Sequence, residues 1–420
     1  MSKGWRNNLI LTVVMCAAAA GLWIQENREN ARDEADKQSR ALGSLRSAAI
    51  TSLAFRDGAG KTLSLQKEGD HWQITAPAQL RTNHKAVTEL LETLDKHYEK
   101  KAVDTLTDAA AFGLTSPQAR LEVKDGSGGS SLLLVGNTAP ANPQKRYVAL
   151  GEKGPVVLMA NTDLTKVMQR SDDLRDKRLA RTESPDLSRI ALQPKSGDAL
   201  QLARGEGESW NLEAPIRDRA DGNRISAWIF ALSGSQGSGF RQEPPQGDPD
   251  WRVTLTPAKG EPELLSIWRV GEELVAKRPG EPDAMLLPKY LTEELSKNAL
   301  DLVAMRPVEP RDGLSTLRLE GEGKNLSAEK KEQKWPRDEW REIEDMLGRD
   351  ALRGALRSGS TPWVTITLGQ GEQAQVLTLH QEEKRLLVTP PNRPISLELT
   401  PLQAETLKKA IQDLLTPPAS

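Results

Sequence analysis

Cysteine and histidine are nearly absent from this sequence. Its 420 residues include one cysteine, Cys16, and four histidines. A single cysteine cannot form a disulfide within the chain, and it excludes the zinc sites that need several thiolates. The histidines, His71, His84, His97 and His380, are not spaced as in a metal-binding helix. We therefore predict no metal site, no bound cofactor and no catalytic residues.

An excess of charge of either sign is also lacking. The chain has 57 Lys and Arg against 59 Asp and Glu, which gives a formal net charge of -2. A nucleic-acid-binding protein would show a basic patch or stripe, so this balance argues against that class. Apolar residues recur in short alternating runs, which indicates folded strands rather than disorder. The length suffices for about two to four domains.

One long apolar run is present, near the N-terminus. The run from Leu9 to Ile24 carries no charge, and Lys3 and Arg6 precede it. Trp5 precedes the run and Trp23 lies near its end, as aromatic belts lie at the two ends of a membrane-spanning helix. We expect a transmembrane signal anchor over residues 1–24, with the N-terminus in the cytoplasm and the body of the chain on the opposite side.

Two other interpretations of the apolar run remain open. The small residues from Ala17 to Ala20 are typical of the site at which a signal peptide is cleaved. Lipidation of Cys16 is the third interpretation. It is the weakest, because Val14 and Met15 precede the cysteine where a small residue is usual.

The remainder of the chain contains three copies of one pattern. In each copy, two short apolar segments precede a tryptophan, and these tryptophans are Trp72, Trp210 and Trp335. The first two stand five residues before a proline, whereas in the third copy Pro336 follows the tryptophan directly. Recurrence at one place in a repeat favours a core residue, although a tryptophan platform for glycan or peptide is the alternative.

Each copy predicts the same order of elements. Two strands joined by a turn lead to the tryptophan strand, an amphipathic helix, four more strands and a short helix. The helix of the first copy begins near Thr82, with Asn83 or Thr82 as its cap. The fold class is therefore α+β, with an N-terminal transmembrane helix and three tandem small domains built on antiparallel sheets. The predicted boundaries are 25–46 for a charged stalk, then 47–182, 183–308 and 309–420 for the domains.

Two motifs that suggest chemistry have simpler explanations. Gly58 to Thr62 ends like a phosphate-binding loop, but Phe55 stands where that loop needs its first glycine. The segment also joins two predicted strands, so we interpret it as a hairpin turn. The paired acids Asp172 and Asp173 have no third partner nearby in the sequence and are interpreted as a solvated helix end.

Further motifs carry a resemblance to a known family. They are Phe112, Gly113 and Leu114 with Pro117, then Val135, Gly136 and Asn137, and finally Leu174, Arg175, Asp176 and Lys177. With the segment around Trp72, they resemble a widespread bacterial family known as domain of unknown function 4340. The similarity covers residues 48–180 best, and the second copy lacks clear versions of the first and last motifs.

This resemblance implies a location and a role, without any catalytic residue. Members of the family are membrane-anchored and resemble accessory components of ABC-2 transport systems related to gliding-motility transporters. The resemblance therefore implies a bacterial inner-membrane protein with a periplasmic body. We expect a non-enzymatic accessory or scaffold protein whose partners are the membrane and the permease subunits of an ABC transporter. The alternatives are an envelope glycan- or peptide-binding module and, less favoured, a hydrolase.

Overall fold

The chain folds into two compact units. The computed structural model describes residues 15, 18–34, 40–43, 45–96, 101–105, 108–152, 154–207, 209–308, 315–371 and 374–416. The first unit contains residues 1–177 together with Gly280–Pro282, and the second contains Arg178–Pro279 and Asp283–Ser420.

The first unit contains one antiparallel sheet. Its strands are β1 Ile50–Arg56, β2 Thr62–Glu68, β3 His71–Ala76, β4 Lys101–Thr105, β5 Ala119–Asp125, β6 Ser130–Ala139, β7 Asn142–Leu150 and β8 Pro155–Ala160. They lie in the order β3-β2-β1-β5-β6-β7-β8-β4. Helix α1 covers residues 18–34, and two 3₁₀ turns cover Ser47–Ala49 and Ser171–Leu174.

One amphipathic helix packs on this sheet. Helix α2, His84–Asp95, buries Val87, Leu90, Leu91 and Leu94, which recur at helical spacing. The Asn83 side chain accepts a hydrogen bond from the Ala86 N–H at 3.1 Å, so the predicted cap is confirmed. The helix connects β3 at one sheet edge to β4 at the other, and it therefore crosses the sheet.

The second unit contains two antiparallel sheets. The strands of the second sheet are β9 Leu187–Pro194, β10 Leu200–Arg204, β11 Trp210–Ala214, β12 Asp218–Arg219, β13 Gly239–Arg241, β14 Trp251–Pro257, β15 Glu263–Val270, β16 Glu273–Lys277 and β17 Ala284–Leu287. Those of the third sheet are β18 Thr316–Gly321, β19 Lys324–Glu329, β20 Arg353–Leu356, β21 Val364–Leu368, β22 Gln375–Glu382, β23 Arg385–Thr389 and β24 Ile395–Glu398.

Among the described residues of the second unit there are five α-helices. They are α3 Gly222–Gly234, α4 Leu291–Leu295, α5 Ala299–Leu302, α6 Asp338–Leu347 and α7 Pro401–Leu415, and a 3₁₀ turn covers Ser184–Asp186. Most of the buried apolar side chains of this unit belong to one cluster that runs from Leu179 to Leu415. The two sheets of this unit therefore share a core.

The three sheets have one topology, so the prediction of repeated α+β sheets is confirmed. The second order is β12-β11-β10-β9-β14-β15-β16-β17-β13, and the third is β19-β18-β21-β22-β23-β24-β20. In each, the strand that follows the long helix occupies the far edge. We did not predict these edge strands, β4, β13 and β20, because they are short and lack a clear alternation of apolar residues. The boundaries of the three predicted domains stay a prediction, because the chain divides into two compact units and not three.

The third copy departs from the other two after its second strand. Trp72 lies in β3 and Trp210 begins β11, but Trp335 follows a tight turn closed by a bridge between Lys331 and Lys334. Trp335 therefore does not lie on a strand, contrary to the prediction. The hairpin β18–β19 ends its sheet on this side.

The predicted transmembrane helix over residues 1–24 is wrong by the present structure. Within the described part of the chain, no helix is long and apolar enough to cross a membrane. Residues 18–34 are helical and exposed, but charged residues follow from Glu26 onward. Half of the apolar run, namely Leu9 to Val14 with Cys16 and Ala17, lies outside the described residues.

Two further segments differ from expectation. Leu164 to Met168, predicted as a short helix, forms a series of turns. Near the end of the charged segment 25–46, Ala41, Leu42 and Leu45 are buried in the core of the first unit. These side chains therefore pack in the domain, although the residues around them are polar.

Candidate functional site

The first family-like motif forms a turn that packs against β6. Gly113 adopts a φ of 71°, and Phe112 offers its carbonyl oxygen to the Asn137 N–H at 2.9 Å. A Cβ atom on Gly136 would lie 2.2 Å from that same oxygen. The two glycines are required because the turn and the strand approach each other too closely for side chains. Leu114 is buried beside them.

The last motif forms a short ladder with the segment that begins helix α2. Thr82 bridges to Arg175, the Asn83 N–H donates to the Leu174 carbonyl at 2.9 Å, and the Asp176 N–H donates to the Arg81 carbonyl at 2.9 Å. Leu174 is fully buried in the core. Lys177 pairs with Asp173 at 2.6 Å. These contacts give the motif a structural role, because they hold it against the segment that begins helix α2.

A group of buried charges surrounds this ladder in the first unit. Arg175 Nη2 lies 3.2 Å from Glu281 Oε2, and Arg81 Nε lies 3.4 Å from Glu281 Oε1. Arg175 also reaches Asp172 at 3.8 Å. The side chains of both arginines and of Glu281 are at most 4% exposed. Two cations therefore face two carboxylates, so loss of one partner would leave a charge uncompensated in a buried place.

The glycine-containing loop after β1 is a hairpin turn held by Asp57. One carboxylate oxygen of Asp57 accepts from the Lys61 N–H at 2.9 Å and the Ala59 N–H at 3.1 Å, and the other accepts from the Ser171 N–H at 2.9 Å. Burial raises the pKa of Asp57, but these hydrogen bonds outweigh it and hold the pKa below its ordinary value. Lys61 pairs with Asp172 at 2.8 Å instead of facing an open loop.

We expect Asp57→Asn to destabilise the first unit by about 2 kcal/mol at neutral pH, because an amide nitrogen would then face a backbone N–H. The Asp57 pKa is depressed on folding, so its contribution is present above the unfolded value of 3.8 and is lost as pH falls through the lower folded value. Urea unfolding of both forms at neutral and acidic pH measures the difference.

The control for this prediction is Asp70→Asn, in an exposed turn of the same unit. It should leave the free energy of unfolding within about 0.5 kcal/mol of the parent. A difference between the Asp57 variant and the parent that stays constant through acid would contradict the assigned role.

The recurrent tryptophans occupy unequal environments. Trp72 is 5% exposed and Trp210 is 4% exposed, whereas Trp335 is half-buried at the margin of the core. Arg204 lies 5.1 Å from the ring centre of Trp210, and Lys330 lies 5.0 Å from that of Trp335. The Trp335 Nε1–H donates to a carboxylate of Glu344 at 2.7 Å. Trp72 and Trp210 are thus core residues with no face available to a ligand.

A cleft of about 860 Å³ lies beside β11 and β12 and the loop before β24. Arg393 donates to the Asp218 carboxylate from Nε and Nη2, each at 2.9 Å, and Nη2 also donates to the Ala304 carbonyl. The side chains of Arg393 and Asp218 are 5% and 3% exposed. This ion pair joins the second and third sheets. Arg217 and Arg219 also line the cleft.

The arginines of this cleft do not build an acid–base pair. Partial burial is the main cause that lowers the pKa of Arg219, and the neighbouring charge of Arg393 adds to it. An arginine remains protonated at any physiological pH, so it can hold an anion but cannot act as a general base.

The third sheet carries a serine and a histidine in contact. Ser360 Oγ lies 3.3 Å from His380 Nδ1, and Ser358 Oγ contacts both Ser360 and Glu382 at 2.7 Å. However, His380 Nδ1 also lies 3.0 Å from the Ser360 carbonyl oxygen, which can only accept. Nδ1 can bind that carbonyl only as a donor, and in this tautomer it cannot take a proton from the hydroxyl. The geometry favours a structural network.

The other histidines and acids form no metal cluster in the described residues. No group of three or more His, Cys, Asp or Glu side chains there is placed to hold a metal ion. His84 Nδ1 accepts the Trp72 N–H at 3.2 Å, and the His71 and His84 rings lie 5.1 Å apart. His97 lies outside the described residues.

Sequence reasoning missed the charged partners Glu281, Asp218 and Arg393. One available signal was the repeat itself, since Arg81 and Arg219 both stand four residues after the proline of an Ala-Pro pair. The partners of those segments lie far along the chain, in loops without a motif. Only the tertiary structure brings them together.

Comparison with known proteins gives one informative match. Among curated proteins, none matches this chain. A solved structure, the DNA polymerase sliding clamp from Pseudomonas aeruginosa with ligand, aligns over 85% of this chain and 92% of its own, at 9% identity and a TM-score of 0.17. A score that low supports no conclusion about fold or function. Residues 72–250, which include the turn and ladder motifs of the first copy, match the family described as "Domain of unknown function (DUF4340)".

Proposed function

We propose that this protein is a non-enzymatic scaffold that binds other proteins, as an accessory component of an ABC-type transport system. The observation that supports the proposal is the use of one sheet topology three times, with the repeated and family-like side chains engaged in internal packing. Such repetition multiplies binding surface without multiplying a reactive site. The transport system enters from the family resemblance, which residues 72–250 support.

The alternative of a tryptophan platform for envelope glycans or peptides has less support. It needs exposed indoles, and Trp72 and Trp210 are nearly fully buried. Trp335 is half-buried, but its ring is engaged with Lys330 and its N–H with Glu344. The hydrolase alternative would need a base for Ser360, and the contact of His380 Nδ1 with the Ser360 carbonyl oxygen opposes that role.

Affinity purification tests the scaffold proposal. The full-length chain, tagged and expressed in its own cells, should retain the permease and ATPase subunits of one ABC transporter after solubilisation in mild detergent. A tag on that permease should in turn retain this chain. Turnover of a cell-envelope substrate by the purified chain, abolished by one conservative substitution, would contradict the proposal, and so would reciprocal purifications without transporter subunits.

A further inference from the structure

Strand β19 forms an edge of the third sheet, and half of its backbone groups face outward. Its hairpin with β18 turns at Glu322 and Gly323, whose φ angles are 51° and 74°. This two-residue turn makes Gly321 and Lys324 a hydrogen-bonded pair. From there along the two strands, non-hydrogen-bonded and hydrogen-bonded residue pairs alternate. The backbone N–H and C=O groups of Asn325, Ser327 and Glu329 therefore point away from β18.

Two hydrogen bonds at the far end confirm this alternation. The Lys330 N–H donates to the Ser315 carbonyl at 2.8 Å, which is the next expected pair with β18. Thr316 instead offers its carbonyl oxygen to Gly369 on the opposite side. Within the part of the chain that the structure describes, no other strand pairs with β19. Its outward row of donors and acceptors is a template for one more strand.

The other two copies place a strand of the same chain on this edge. In the first sheet β3 pairs antiparallel with β2, and in the second β11 pairs antiparallel with β10. A further segment then covers that added strand, through the Ile74–Leu80 bridge in one case and strand β12 in the other. In the third copy, the turn before Trp335 stands in place of both the added strand and the segment that covers it.

The missing strand leaves apolar side chains partly uncovered. The hairpin registers make Leu63, Leu200 and Leu326 equivalent, and likewise Leu65, Leu202 and Ala328. The four leucines of the first two copies are at most 3% exposed. Leu326 and Ala328 are only half-buried. Among the described residues, the open edge thus lacks both the hydrogen bonds and the apolar cover that this edge has in the other copies.

We propose that β19 binds an extended segment of a partner protein as an added antiparallel strand of the third sheet. This inference rests on the proposed scaffold function and names the surface through which it acts. Main-chain hydrogen bonds to Ser327 and Glu329 provide attachment, and side chains on the inner face of the segment provide selectivity. The partner is an extended peptide because the same slot receives β3 and β11 in the other copies.

The internal strands also indicate the side chains that the slot accepts. Ile74 lies opposite Leu65 and Leu212 lies opposite Leu202, so the bound segment places an aliphatic residue opposite Ala328. Trp72 and Trp210 stand opposite the residues equivalent to Lys330. Trp335 already contacts Lys330, so the partner needs no tryptophan there.

A synthetic peptide tests the slot directly. The peptide copies residues 71–77 with Trp72→Thr and a fluorescent label, and its binding to the purified full-length chain is followed by fluorescence anisotropy up to about 1 mM. In the first sheet Gln73 lies opposite Gln66 in a hydrogen-bonded pair, whereas the Ile74 N–H points away to Thr82. N-methylation at Gln73 should weaken binding about tenfold, and N-methylation at Ile74 should not.

Two variants of the chain complete the test. Ser327→Pro removes an outward N–H and should weaken binding of the peptide about tenfold, while an edge strand tolerates the proline. Ser327→Ala keeps the N–H and should bind like the parent. Saturable binding with these differences supports the proposal. The absence of binding, or equal binding by all forms, overturns it whether or not the proline variant folds, because the methylated peptides need only the parent chain.

The remaining outcomes separate this inference from the function on which it rests. Concentration-dependent dimers that Ser327→Pro abolishes and the peptide does not displace would make a second copy of the chain the occupant, and would overturn the proposed partner. If the peptide binds as expected but no transporter subunit is recovered by reciprocal purification, β19 remains a peptide-binding strand and the proposed transport role fails.

Discussion

Trp72→Ala and Trp210→Ala should each lower the free energy of unfolding by about 3–5 kcal/mol, whereas Trp335→Ala should cost about 1–2 kcal/mol. The first two indoles are 5% and 4% exposed, so their removal leaves a large cavity in a packed core. Trp335 is half-buried, and solvent and neighbouring side chains can fill part of its place. The three tryptophans occupy equivalent positions in the repeat, but they contribute unequally to the free energy of unfolding.

Trp210 and Trp335 form a matched pair for this measurement because both belong to the second unit. Urea unfolding followed by far-ultraviolet circular dichroism gives the free energy for each variant against the same parent transition. Trp72→Ala should act on the transition of the first unit. Equal losses at Trp210 and Trp335 would show that the third tryptophan has the same structural role as the others, contrary to its position outside a strand.

Gly136→Ala should destabilise the first unit by about 3 kcal/mol, through a clash that no side-chain rearrangement relieves. The new Cβ would lie 2.2 Å from the Phe112 carbonyl oxygen, which belongs to the backbone and accepts the Asn137 N–H. The turn would have to leave β6 and would expose Leu114 and Phe112. The ring of Phe112, which packs edge-on against Tyr147 at 4.9 Å, would lose that contact.

Gly126→Ala is the control, since its Cβ would meet only the Thr51 side chain at an ordinary 3.6 Å and the residue has no positive φ. It should leave stability within about 1 kcal/mol of the parent. Urea unfolding followed by far-ultraviolet circular dichroism measures the free energy of unfolding of both variants. A Gly136 variant as stable as the control would mean that the Phe112–Leu114 turn is not a structural partner of β6.

The hydrophobic pattern predicted most strands because alternation follows from their geometry. Leu53 and Phe55 pair with Leu65 and Leu63 across the first hairpin, and the same spacing recurs in the other copies. Helix α2 was predicted with its cap because a polar Asn83 precedes residues at helical spacing. The edge strands were missed because their pairing partners lie far along the chain, and long-range hydrogen bonds leave no local period in the sequence.

The site could be predicted only in part, for a related reason. The family-like glycines were visible, but their function was not, since Gly113 and Gly136 matter through their contacts with Asn137 and Phe112. The charged residues that pair with Arg175 and Arg393 stand in distant segments. The apolar N-terminal run was interpreted as a membrane helix from its residue types and from the charges and tryptophans beside it, and the described helices do not support it.

By itself, the sequence determined the repetition, the α+β class and the likeness of residues 72–250 to one family, because those features depend on local spacing and residue type. The tertiary structure alone decided which repeated residues are buried and where the copies differ. Trp335 recurs at the position of Trp72 in the repeat, yet the chain reaches it without a third strand, and among the described residues β19 stays open. Burial and edge exposure depend on what packs from elsewhere in the chain, and therefore no local pattern specifies them.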